Sequence, residues 1–172
     1  MPDPSTGDDA RNLAGRSGRP HFSARTKARK RALDILFEAD LRDTDPLATL
    51  GERSIEADPP VRQYTAELVE GVVEHGEAID QRLRSSLSAG WSLDRMPRVD
   101  RALARLAIYE IDHARVPARV AIAEALLLAG ELSTDESPSF LNGVLSAVAG
   151  QPLMDEDELA RVHDDEVAAE QA

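Results

Sequence analysis

Apolar residues recur three and four positions apart in seven separate segments between residues 23 and 150. The clearest case lies at about 98–113, where Leu103, Leu106 and Tyr109 fall among alternating arginine and acidic residues. This spacing places side chains on one face of an α-helix. No segment alternates with a period of two for long enough to indicate a β-strand. The chain is therefore predicted to be all-α.

Proline, glycine and polar residues divide the pattern into about seven helices. The predicted segments are about 23–42, 46–57, 60–74, 77–88, 98–113, 121–132 and one from 137 onward. Ser23 is the predicted N-cap of the first helix, and its core face comprises Ala28, Ala32, Ile35, Leu36 and Ala39. Ser137 is the predicted N-cap of the last helix, with Pro138 as its first residue. No apolar run reaches the ~20 residues that span a bilayer, so no membrane contact is expected.

Charge is distributed unevenly over a chain whose formal net charge is −12. Residues 11–31 hold eight basic and no acidic side chains, whereas residues 151–172 hold eight acidic and one basic. This separation favours a local anion site on an acidic protein, or alternatively a solvated basic end. Residues 1–22 are too polar to form a core and are predicted to be disordered. Residues 151–172 are predicted to be a solvated acidic tail, or a tail that folds back onto the basic segment.

Several classes of chemistry are excluded or disfavoured by composition. The absence of cysteine excludes disulfides, zinc–thiolate sites and cysteine nucleophiles, and is compatible with a cytoplasmic location. No metalloprotease motif or glycine-rich phosphate loop is present. Two carboxylates, Glu110 and Glu124, fall in apolar segments, and we interpret them as bundle carboxylates paired with an arginine such as Arg101 or Arg105. We therefore expect no enzyme, metal or other cofactor.

The first predicted helix opens with five cations in seven positions, residues 25–31. Projected at 100° per residue, Arg25 and Arg29 border the core face, while Lys27 and Lys30 lie on the outer face. Cations at a helix N-terminus oppose the helix dipole, so the cluster indicates a binding function. Guanidinium groups suit RNA because they bind phosphate bidentately and stack on bases. We expect all four charges to be dispensable for folding.

Phe37 projects to the same side of this helix as Lys30, nearly opposite the core face. It could stack a nucleobase while the cations hold phosphates. Alternatively, Leu33, Phe37 and Leu41 form a second apolar face that another helix covers. The sequence leaves both interpretations open.

Four blocks of the sequence together resemble the NusB family of bacterial transcription antitermination proteins. They are ARTKARKRALDILFEADL, VDRALARLAIYEI, VPARVAIAEALLLAGELS and ESPSFLNGVLSAV, in the family's order and spacing over about residues 23–150. The resemblance implies two small helical bundles, about 23–75 and 76–150. Ala123 and Gly130 stand where the family usually has Asn and Lys.

The resemblance also implies a function without catalysis. Family members pair with NusE, a small-subunit ribosomal protein, and bind the boxA sequence of nascent ribosomal RNA transcripts. They thereby help RNA polymerase, with other Nus factors, to pass terminators. A homodimer is left open, because the family contains monomers and dimers. The residues that it implies for RNA binding are Arg25, Lys27, Arg29, Lys30, Phe37, Glu136 and Phe140. Asp100 is implied, less directly, to face NusE or RNA.

Two other functions are compatible with the same blocks. A related accessory domain occurs in ribosomal RNA methyltransferases, but residues 151–172 show no following strand or glycine-rich loop. A helical protein–protein adaptor with a basic end and no RNA is the third interpretation. Salt-dependent RNA binding, with and without NusE, distinguishes these functions.

Overall fold

The computed structural model describes residues 22–172, and eight α-helices make up most of that range. They are α1 (Ala24–Arg42), α2 (Pro46–Glu56), α3 (Gln63–Glu74), α4 (Gly76–Ser86), α5 (Arg98–Asp112), α6 (Ala118–Leu132), α7 (Ser137–Ala149) and α8 (Glu156–Gln171). A short 3-10 turn covers Leu93–Arg95, and no strand occurs among the described residues. The all-α prediction is confirmed. Of the predicted disordered tail, residues 1–21 lie outside the described range, and Phe22 packs against the core.

Two helix starts show how local hydrogen bonding sets the boundaries. The Ser23 Oγ accepts a hydrogen bond from the Thr26 amide at 3.0 Å, so the predicted N-cap of α1 is confirmed. In contrast, the predicted N-cap Ser137 is the first residue of α7, and Glu136 takes the cap position without a side-chain hydrogen bond. The reason is that the Ser137 hydroxyl donates instead to Asp100 of α5, at 2.8 Å.

Helix α5 lies at the centre of the fold and packs against α1, α3, α4, α6 and α7. The predicted core face of α1 is buried at every position. Buried side chains continue from α1–α3 into α4–α7 as one apolar core. The division near Gly76 stays a prediction, since that core runs across it.

The acidic C-terminal segment corrects one expectation. It forms α8, which packs against α6 and buries part of Leu159 and Val162 against the core. These two side chains are three residues apart and make a narrow apolar stripe that the surrounding acidic residues obscure in the sequence. The tail is therefore not simply solvated. It folds back, and its last turn reaches the start of α1, where the Glu170 carboxylate accepts from the Ala24 amide at 2.7 and 2.8 Å.

Candidate nucleic-acid interface

A cationic groove lies between α1 and the turn that precedes α3. It has a volume of about 570 Å³, and Pro59 and Pro60 form part of its wall. Its lining charges are four cations and two carboxylates, namely Lys27, Lys30, Arg31, Arg62, Asp34 and Asp58. Within residues 22–172, Lys30 is the one of these cations with a carboxylate inside 4.0 Å, at 3.7 Å from Asp34. The groove therefore offers an excess of positive charge on an acidic chain.

Lys27 and Arg25 are both exposed, as the sequence predicted, but they face different neighbours. Lys27 points into the cationic groove. The Arg25 guanidinium lies over the ring of Tyr64 in α3, 4.7 Å from its centroid. A cation held over an aromatic face keeps its outer edge free for a phosphate.

Arg29 corrects the expectation that all four cations lie off the core. Its side chain is only 3% exposed, and its Nε and Nη2 donate to the Glu110 carboxylate at 2.9 Å each. Its Nη1 lies 3.3 Å from Glu124 of α6 and 3.4 Å from Glu166 of α8. Arg29 thus sits among three carboxylates at the junction of four helices. We call these four side chains the buried charge cluster.

Neutral side chains complete the hydrogen bonding of the buried charge cluster. The Tyr64 hydroxyl donates to Glu110 at 2.5 Å, and the Thr26 hydroxyl donates to Glu124 at 2.7 Å. Burial raises the pKa of Tyr64, and the neighbouring Glu110 charge raises it further. Burial alone would lower the pKa of Arg29, but its hydrogen bond to Glu110 and the surrounding carboxylates raise it above its ordinary value. Arg29 is therefore a permanently charged structural residue.

The partner predicted for Glu124 is also wrong. Arg101 pairs with Asp40 at 2.7 Å, and Arg105 pairs with Asp80 at 2.8 Å. Glu124 pairs with Arg29 instead. Helices α1 and α6 both pack against α5, and this arrangement brings the two side chains together. Its interpretation as a bundle carboxylate paired with an arginine is confirmed, with a different arginine.

Phe37 is half-buried on α1, and the two leucines on the same face of the helix differ in exposure. Leu33 is buried, whereas Leu41 is 60% exposed. The face is therefore covered at the Leu33 end and open at the Leu41 end. Both interpretations of Phe37 remain predictions.

Glu136 and Phe140 lie at the start of α7, whereas the predicted cations lie on α1. Glu136 is exposed and Phe140 is half-buried. The Phe140 ring lies 5.1 Å from the ring of Trp91, which is 49% exposed. Sequence reasoning placed Trp91 in a loop and assigned it no role. A lone tryptophan in the polar segment Gly90–Ser92 was the available signal. The predicted RNA residues thus lie on two helices, α1 and α7, which both pack against α5.

Asp100 is not available for the partner contact expected of it. Its side chain is 2% exposed and accepts hydrogen bonds from the Ser133 and Ser137 hydroxyls at 2.5 and 2.8 Å. It ties α5 to the ends of α6 and α7. A carboxylate fully occupied within the fold has a structural role.

We expect Asp100→Ala to lower the free energy of unfolding by about 1–3 kcal/mol, because two hydroxyls lose their acceptor. Asp135→Ala, at an exposed position next to the same junction, should change it by less than about 0.5 kcal/mol. Urea denaturation followed by circular dichroism measures both. Equal stability of the two variants would show that the Asp100 hydrogen bonds contribute nothing net.

No group of three or more metal-ligating side chains is clustered within residues 22–172. No helix in that range has both the length and the apolar composition required to cross a bilayer.

Comparison with known proteins gives consistent results. The family model described as NusB matches residues 26–150. A transcription antitermination protein NusB from Kineococcus radiotolerans is 55% identical over 129 residues, covering 74% of this chain and 94% of the relative. The corresponding protein from Acidothermus cellulolyticus is 56% identical over 126 residues, covering 73% and 86%.

Solved structures agree with the sequence relatives. The T. maritima NusB structure superimposes with a TM-score of 0.67 at 28% identity, covering 81% of this chain and 99% of that chain. A crystal structure of antitermination factors NusB and NusE in complex with dsRNA gives 0.65 at 29% identity, covering 73% and 96%. Helix α8 lies outside the residues that the family model matches. The chain belongs to the NusB family.

Proposed function

We propose that this protein is an antitermination factor that binds boxA RNA of nascent ribosomal RNA transcripts together with NusE. In this role it acts in the cytoplasm, without catalysis, and helps RNA polymerase and other Nus factors to pass terminators. The observation that carries the proposal is the cationic groove, in which cations outnumber carboxylates on a chain of net charge −12. A sequence that is otherwise acidic repels nucleic acid except at such a site.

Phosphates and bases have separate candidate contacts. Lys27, Lys30, Arg31 and Arg62 would hold phosphates along the cationic groove. On α7, Phe140 and its neighbour Trp91 would stack bases, since half-exposed aromatic rings are the usual platforms for single-stranded RNA. Glu136, exposed beside them, would accept a hydrogen bond from a base amino group or repel a phosphate. Phe37 would add a stacking contact beside Lys30.

Binding measurements with the full chain test this function. A labelled single-stranded boxA RNA, a scrambled RNA of equal length and a duplex of the same sequence are titrated with and without NusE. We expect the single-stranded boxA RNA to bind more tightly than the other two, and more tightly again with NusE. The duplex is included because the structural relative in complex with NusE holds dsRNA.

Equal affinity for all three RNAs with NusE present would reject boxA recognition. Binding of NusE without any RNA affinity would favour the protein–protein adaptor. Tighter binding of the duplex than of the single-stranded boxA RNA would indicate that the cationic groove binds double-stranded RNA.

A further inference from the structure

Helix α8 brings two carboxylates to the start of α1. It carries seven acidic residues and one arginine. Glu170 accepts from the Ala24 amide, the first of α1, and Glu166 lies 3.4 Å from the Arg29 guanidinium. Both contacts fall within the basic start of α1, where the resemblance to the family places RNA.

The space beside these carboxylates is a second cationic groove, with a volume of about 560 Å³. Its cations are Arg25, Arg29 and Arg115, and the N-terminus of α1 opens into it at Ser23. Arg115 has a φ of 56°, a left-handed backbone conformation that is uncommon for a residue other than glycine. Arg29 is already paired with Glu110 and Glu124, so the groups that can bind an anion here are Arg25, Arg115 and the helix N-terminus. Glu166 and Glu170 of the same chain also line this groove, and Glu170 takes the first amide of α1.

We propose that α8 is an autoinhibitory helix: Glu170 takes an anion site formed by the start of α1 beside Arg25 and Arg115, Glu166 anchors the helix at the buried charge cluster, and an RNA phosphate replaces Glu170 when α8 is displaced. This inference rests on the proposed function, and it adds a second phosphate site and its regulation.

The contacts of α8 are of the kind that a competing polyanion can break. No residue of the helix is fully buried. Leu159 and Val162, both half-buried, pack against the core, and its best surface ion pair joins Glu158 to Arg119 at 2.8 Å. Partly exposed ion pairs contribute little to stability and weaken in salt. The helix also lies outside the residues that the family model matches.

The charges around Glu166 make the docking of α8 sensitive to pH. Glu166 faces Arg29 of α1 and Glu124 of α6, with Glu110 of α5 behind Arg29, while His163 of α8 lies 3.9 Å from Glu124. Burial and a hydrogen bond with Glu124 raise the pKa of Glu166 to about 7, although Arg29 opposes the shift. The docked helix therefore favours protonated Glu166. The contribution of Glu166 to docking is lost as the pH rises through 7.

This geometry gives two substitutions opposite effects on RNA affinity. Glu170→Ala removes the acceptor of the Ala24 amide, so α8 should detach more readily and single-stranded RNA should bind roughly fivefold more tightly in 0.15 M salt. Glu166→Gln supplies an amide that donates to Glu124 and accepts from Arg29 without adding charge. Docking should then be stronger at pH 8, and RNA should bind more weakly, although the protein has lost a negative charge.

The matched control is Asp164→Asn/Asp165→Asn, which neutralises two exposed carboxylates of α8. Its effect on RNA affinity should be less than about twofold in 0.15 M salt, where exposed charges are screened. Fluorescence anisotropy of a labelled single-stranded RNA gives the affinities. Amide hydrogen exchange over residues 156–171 reports docking without RNA, and we expect faster exchange in Glu170→Ala and slower exchange in Glu166→Gln at pH 8.

The outcomes separate this inference from the proposed function. RNA binding by every variant, with Glu170→Ala no tighter than the control, overturns autoinhibition and leaves RNA binding established. Tighter binding by Glu166→Gln also overturns it, since charge removal alone would explain that result. No RNA binding by any variant rejects the proposed function and this inference with it.

Discussion

Arg29→Ala is expected to lower the free energy of unfolding by about 3–5 kcal/mol, enough to unfold a large fraction of a marginally stable domain. The substitution leaves Glu110 and Glu124, each at most 2% exposed, without the guanidinium that pairs with them. An uncompensated buried carboxylate costs far more than the pair contributed. Urea denaturation followed by circular dichroism measures the change.

Lys27→Ala is the matched control, because it removes one cation from the same turn of α1 at an exposed position. Its free energy of unfolding should stay within about 0.5 kcal/mol of the parent, since alanine is a slightly better helix former. Arg29→Lys should lie between the two, because a single ammonium cannot reproduce the bidentate contact with Glu110. Equal stability of Arg29→Ala and Lys27→Ala would mean that the buried charge cluster does not hold the helices together.

Lys27→Ala/Lys30→Ala is expected to reduce RNA affinity about tenfold or more at ~0.1 M salt, with folding and NusE binding unchanged. The two side chains line the cationic groove, and neither contributes to the core. Arg42→Ala/Arg84→Ala removes the same charge from two exposed positions outside that groove. The RNA affinity of this control should fall no more than about threefold, because only the long-range attraction between the protein and RNA is weakened. Equal losses in the two double variants would place the RNA site elsewhere.

Regular periodicity allowed most of the fold to be predicted. The spacing of Ala28, Ala32 and Ile35 identifies the buried face of α1 because it depends only on helix geometry. Caps such as Ser23 are equally local. Asp43 and Arg115, which leave the helical conformation with φ of 52° and 56°, have no comparable signal in the sequence.

Periodicity could not predict which side chains from different helices contact each other. Arg29 lies beside the core face, where a charge is solvated unless another helix brings carboxylates to it, and Glu110 and Glu124 do so from positions about 80 and 95 residues away. The docking of α8 is equally non-local, because the helix packs on α6 while Glu166 and Glu170 contact α1. Asp100 was expected to face NusE or RNA from the family resemblance alone, and its burial depends on two serine donors, Ser133 and Ser137, that are distant in sequence.

Salt dependence of RNA binding tests most directly whether the exposed cations of α1 hold RNA phosphates. The logarithm of the association constant for single-stranded boxA RNA is measured against the logarithm of salt concentration, for the parent and for Lys27→Ala/Lys30→Ala. Each lost phosphate contact should reduce the slope by about 0.7, so the slopes should differ by roughly 1.4. Parallel lines, with the two proteins equally sensitive to salt, would contradict the assignment of the cationic groove to RNA.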